Sequence, residues 1–87
     1  MKKIGTINRY EAEYGSTQVS ADVSFNDKGE IQAITGNVSN PDLDLQAWFH
    51  INDKGDLNAG GVPAEDKVKC DAVVEAAREF YKEAKAL

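Results

Sequence analysis

The nine residues Phe25-Asn26-Asp27-Lys28-Gly29-Glu30-Ile31-Gln32-Ala33 return at positions 51–59 as Ile51-Asn52-Asp53-Lys54-Gly55-Asp56-Leu57-Asn58-Ala59. Every position is either identical or exchanged for a close chemical relative. Asn-Asp-Lys-Gly suits a three-residue hairpin loop, with Asn opening a type I turn and Gly closing it in the left-handed conformation of a G1 bulge. Glycine reaches that conformation without steric penalty. The repeat therefore predicts two similar β-hairpins, and it names no activity.

The flanks of both turns carry the two-residue alternation of strands. In 17–25, Val19, Ala21, Val23 and Phe25 share one side, while Gln18, Ser20, Asp22 and Ser24 share the other. That pattern belongs to an antiparallel strand with one face on a core and one in water. The return strand, 30–38, is expected to set Phe25 opposite Ile31 and Val23 opposite Ala33. Ile34 then breaks the alternation and joins the wet face, with Gly36 marking a bulge or twist. A turn at Ser39-Asn40-Pro41-Asp42 leads into a strand over 43–51. There Leu43, Leu45, Ala47, Phe49 and Ile51 point inward, and Asp44, Gln46, Trp48 and His50 outward. A short strand at 56–60 pairs Ile51 with Leu57 and Phe49 with Ala59. Residues 3–14 read as a bulged edge strand, because Ile4 and Ile7 fall on opposite sides of a regular one, and Gly15-Ser16 turns the chain out of it.

After the Gly60-Gly61-Val62 connector, the apolar period lengthens to that of a helix over about 63–86. Pro63 suits its first position, where a missing N–H costs nothing. Glu65 and Asp66 suit the positive end of its dipole, and Lys82 and Lys85 the negative end. Cys70, Val73, Val74, Ala77, Phe80, Tyr81, Ala84 and Leu87 form one stripe. The fold class that follows is α+β: a two-layer sandwich of a four- to five-stranded antiparallel meander with one C-terminal α-helix on one face.

At 87 residues the chain is one domain, 1–87, with room for one modest core. Its 41% hydrophobic and 29% charged residues exclude a disordered chain. The net charge of −5 disfavours contact with phosphates or anionic membrane, and favours a partner with a basic surface. Lys2 and Lys3 precede no apolar run, so no signal or anchor is read there, and a cytoplasmic location is expected.

Chemistry is sparsely supplied. Cys70 is the only cysteine and His50 the only histidine, so no intramolecular disulfide and no thiolate metal cluster is possible, a metal role for His50 lacks a second His or Cys, and no nucleophile motif adjoins it. The Asn-Asp-Lys-Gly loops lack the ligand spacing of a calcium loop. Gly60-Gly61 lacks the further glycines and lysine of a phosphate cradle. No catalytic residue, cofactor or metal is expected.

The surface with functional promise is the outer sheet face, where Trp48 and His50 project with Gln46, Asp44, Asp22 and Glu30. Trp is enriched at the centres of protein interfaces, and an acidic frame suits a basic partner. In size, acidity and architecture the chain resembles the small single-domain inhibitors carried by phages and other mobile elements, anti-CRISPR proteins among them. The likeness is one of profile and brings no residue roles with it. It implies a non-catalytic protein-binding module that occupies the basic, nucleic-acid-binding surface of a partner. Two other readings stand beside it: a structural homodimer, joined by sheet faces or edge strands, and a small-ligand domain with a pocket between helix and sheet near His50 and Tyr81.

Overall fold

Thr17–Asn26 (β2) is built as its alternation demands: Val19, Ala21 and Val23 are buried, and their neighbours reach the opposite face. In the computed structural model, which describes residues 1–2 and 5–87, this strand is second of five. The others are Gly5–Tyr14 (β1), Ile31–Asn40 (β3), Leu45–Ile51 (β4) and Leu57–Gly60 (β5). They lie side by side in chain order and every pair is antiparallel, the expected meander. The α-helix Lys67–Lys85 (α1) packs on one face, completing an α+β two-layer arrangement.

Both repeated turns form, with the same bonds. Asn26 Oδ1 accepts the N–H groups of Lys28 and Glu30, both at 2.9 Å, and Asn52 Oδ1 accepts those of Lys54 and Asp56, also at 2.9 Å. Gly29 and Gly55 take the left-handed φ values of 80° and 84°. The second hairpin keeps the expected register, with Ile51 opposite Leu57 and Phe49 opposite Ala59.

The first hairpin departs from expectation one pair beyond its turn. Phe25 faces Ile31, but Ser24 then faces Ala33 and Val23 faces Ile34, leaving Gln32 as the extra residue of a bulge. Ile34 is consequently not on the wet face; it is fully buried, and Ala33 takes the outward place. The reason is energetic, since burying an isoleucine stabilises far more than burying an alanine. Gly36 is not the irregular position. It lies in the regular ladder, where a Cβ would overlap Ala21.

Three further boundaries differ from the sequence reading. The first strand is unbulged, pairing residue for residue with β2 from Gly5 to Tyr14, so that Ile7 points outward and is 69% exposed. The expected start at residue 3, with Ile4, lies outside the described residues. Leu43 belongs to a short 3-10 turn, Pro41–Leu43, rather than to the fourth strand. That turn is capped by buried Asn40, whose Oδ1 accepts the N–H of Asp42 while its Nδ2 donates to Thr17 Oγ1. Pro63 lies in the turn before the helix, with its carbonyl accepting from the N–H of Asp66. Asp66 then caps the helix by accepting from the N–H of Lys69.

The helix is rich in Ala, Glu, Lys and Arg and holds no Gly or Pro, a composition that favours it intrinsically. Its buried residues are Val73, Ala76, Ala77, Phe80 and Ala84. Ala76 enters the stripe, whereas Val74 and Leu87 are exposed. Small alanines let the helix approach the sheet closely, and Phe80 meets Phe49 edge-to-face with ring centroids 6.2 Å apart. Tyr14 at the end of β1 ties the far flank of the helix by donating to Glu83 Oε2 at 2.8 Å. Partial burial, the bond to Glu83 and the charges of Glu83 and Glu79 push the Tyr14 hydroxyl well above its ordinary pKa.

Candidate functional site

The strand parities that bury the core also determine what the other face displays. Across that face the registers line up two long rows. One runs Arg9, Asp22, Thr35, His50, Asn58; the next runs Glu11, Ser20, Asn37, Trp48, Gly60. A shorter row, Glu13, Gln18, Ser39, Gln46, closes the end of the face nearer the 3-10 turn. The helix lies on the opposite side, and no element among the described residues covers these rows.

Trp48 is 49% exposed. Its indole leans across Gly60 on the neighbouring strand, where a Cβ would stand 2.5 Å from Cζ2 and 2.8 Å from Nε1. A glycine at this position is what lets the ring settle, so one side of the indole is supported by β5 and the rest stays in water. His50 shares a hydrogen bond with Thr35, 2.9 Å between Nδ1 and Oγ1, which orients the imidazole along its row. Arg9 bridges to Asp22 Oδ1 at 3.2 Å through Nη1 and to Ser20 Oγ at 2.9 Å through Nη2. Both charged partners are largely exposed, so this pair orders side chains more than it stabilises the fold. Beside the Trp48 row, Glu13, Gln18, Ser39 and Gln46 border a shallow polar depression of about 340 Å³.

Four of the six residues expected on this face are there: Asp22, Gln46, Trp48 and His50. Asp44 stands in the left-handed position that ends the 3-10 turn, with φ 50°, ahead of the strand rather than within it. Glu30 belongs to the first hairpin turn, where its Oε1 accepts from Asn26 Nδ2. In their place β1 contributes Arg9, Glu11 and Glu13, which the sequence reading passed over. Working backward from Tyr14 through Ala12 to Tyr10 would have set their parity, because those three half-buried residues pack against the core.

The remaining reactive side chains do not converge. His50 faces away from the helix, whereas Cys70 is on it, half-buried with Sγ 3.5 Å from the Pro63 carbonyl oxygen. Tyr81 packs beside Gly55 on the helix side, so His50 and Tyr81 border no common space. Among the described residues no three His, Cys, Asp or Glu side chains gather as metal ligands would, and no helix is long and apolar enough to cross a membrane. Comparison with protein-family models, curated proteins and solved structures finds no match to the chain.

Proposed function

We propose that this protein is a small, cytoplasmic, non-catalytic binding module whose open sheet face engages a protein partner with a basic surface. In its most concrete form it is an inhibitor that occupies the partner's nucleic-acid-binding groove, the role of the phage-borne anti-CRISPR-type inhibitors it resembles in profile. One observation carries the reading: a half-exposed Trp48 stands on an uncovered face. Around it, Glu11, Glu13 and Asp22 outnumber Arg9. An indole with one supported side supplies apolar area that becomes dry only under a partner. The carboxylates and the net charge of −5 steer it toward lysines and arginines, and against nucleic acid itself.

The mechanism is competition. Glu11, Glu13 and Asp22 take the positions of phosphates on the partner, while Trp48 and the polar rows around it supply contacts that phosphate cannot make. The test is capture of the partner from host lysate with the tagged chain, followed by competition against the nucleic acid that the captured protein binds. Trp48→Ala is expected to weaken binding by about thirtyfold or more. Glu11→Lys with Glu13→Lys is expected to slow association and to flatten its dependence on salt. Unchanged affinity in both variants removes this face from consideration.

A further inference from the structure

The two edges of the sheet are unlike. Strand β5 is four residues long and runs straight into the Gly60-Gly61 connector, so it offers little to pair with. Strand β1 offers ten residues whose ladder to β2 is unbroken, and among the described residues no strand pairs with its far side. Proteins blunt such edges with proline, bulges or charged side chains, and the charges β1 carries, Arg9, Glu11 and Glu13, all stand on its outer side. From Gly5 to Tyr14 there is no proline and no bulge, and the residues facing the helix side, Thr6, Asn8, Tyr10, Ala12 and Tyr14, carry no charge.

We propose that the β1 edge binds the β1 edge of a second copy, antiparallel about a two-fold axis through Tyr10, making one continuous ten-stranded sheet. A two-fold axis perpendicular to the sheet keeps both outer faces on one side. Odd-numbered residues of β1 then oppose odd ones, and even oppose even. Four registers, centred on Asn8, Arg9, Tyr10 or Glu11, keep most of the strand paired, and the one centred on Asn8 opposes no two charges. Centring on Arg9 sets Arg9 against Arg9 of the second copy, and centring on Glu11 sets the two Glu11 carboxylates together while bringing Arg9 opposite Glu13. Centring on Tyr10 avoids both and sets Arg9 opposite Glu11 of the second copy, twice by symmetry. Directly opposed unlike charges stabilise a strand pair and like charges destabilise it, so the charge pattern selects this register. Arg9 can serve the new carboxylate without leaving Asp22 and Ser20, since a guanidinium carries five donors and these contacts take two.

The apolar surface agrees. Tyr10 and Ala12 line a groove of about 90 Å³ against Phe80, Ala84 and Leu87 at this edge, which Glu11 and Glu83 also border. Leu87 is 71% exposed there, and Ile7 is 69% exposed on the outer side of the same strand. Pairing about Tyr10 brings the two grooves together over the axis. This inference does not rest on the binding role of Trp48, although it would place two Trp48 faces side by side.

Sedimentation equilibrium of the full chain, from micromolar to millimolar concentration, tests it. The expected result is a concentration-dependent dimer, weakened about tenfold or more by Arg9→Glu and by Glu11→Arg. The double variant restores it, because exchanging the two charges recreates both opposed pairs. Trp48→Ala leaves the constant unchanged. Circular dichroism of each variant confirms folding; these are exposed positions and retain the fold. A wild-type monomer throughout, or a dimer that the single reversals do not move, overturns the proposal. A double variant that stays as weak as the singles overturns the register.

Discussion

The two hairpins start from the same turn and diverge within a few residues. The side-chain bonds of the Asn26 and Asn52 loops agree to within about 0.1 Å, since local sequence settles them. Beyond the turn, the first hairpin inserts Gln32 as a bulge and the second runs on in register through Asn58. The turns also differ in what they touch. Space around Gly29 is open, whereas a Cβ on Gly55 would stand 3.0 Å from the Tyr81 hydroxyl, and the Gly55 carbonyl accepts from Arg78 Nη1. Identical local chemistry thus serves one free loop and one docked loop, and tertiary packing decides which is which.

The sharpest way to break this contrast is at the bulge. Ile34→Ala is expected to cost about 3 kcal/mol in denaturant unfolding, as for a fully buried isoleucine. A cost below about 0.5 kcal/mol would mean that Ile34 faces water and that the first hairpin is as regular as the second. The glycines come next. Gly55→Ala is expected to cost about 2 kcal/mol, combining the left-handed penalty with displacement of Tyr81; Gly29→Ala meets only the penalty, about 1 kcal/mol. Equal costs would show that docking adds nothing. The asparagines complete the series: Asn26→Ala and Asn52→Ala should each lose about 1 kcal/mol, because each side chain makes the same exposed bonds. A clear difference between them would place tertiary packing inside the turn itself.

Much of this was legible in the chain because the informative residues come in long, regular runs. The alternation of 17–25 and of 45–51, the doubled turn and the period of the helix each repeat one signal several times. What stayed hidden depends on a single residue or on a distant one. Nothing local distinguishes Gln32 from Asn58, yet only the first is bulged, since Ile34 needs the core and Gly60, two positions after Asn58, has no side chain to bury. Asp66 rather than Pro63 opens the helix because its carboxylate can reach the N–H of Lys69. The outer face was half visible: Trp48 and His50 follow from the parity of β4. Arg9, Glu11 and Glu13 depend on β1, whose polar composition masks its phase.

The meander order has a consequence in time. Each strand meets its neighbour across a short loop, and hairpins of this kind close within microseconds. The sheet can therefore assemble from its hairpins alone, but its apolar side has no cover until α1 docks on it. Until the helix docks, Val23, Ile34, Phe49 and Ile51 stand on an open sheet, and α1 is the segment that ends their exposure to other chains.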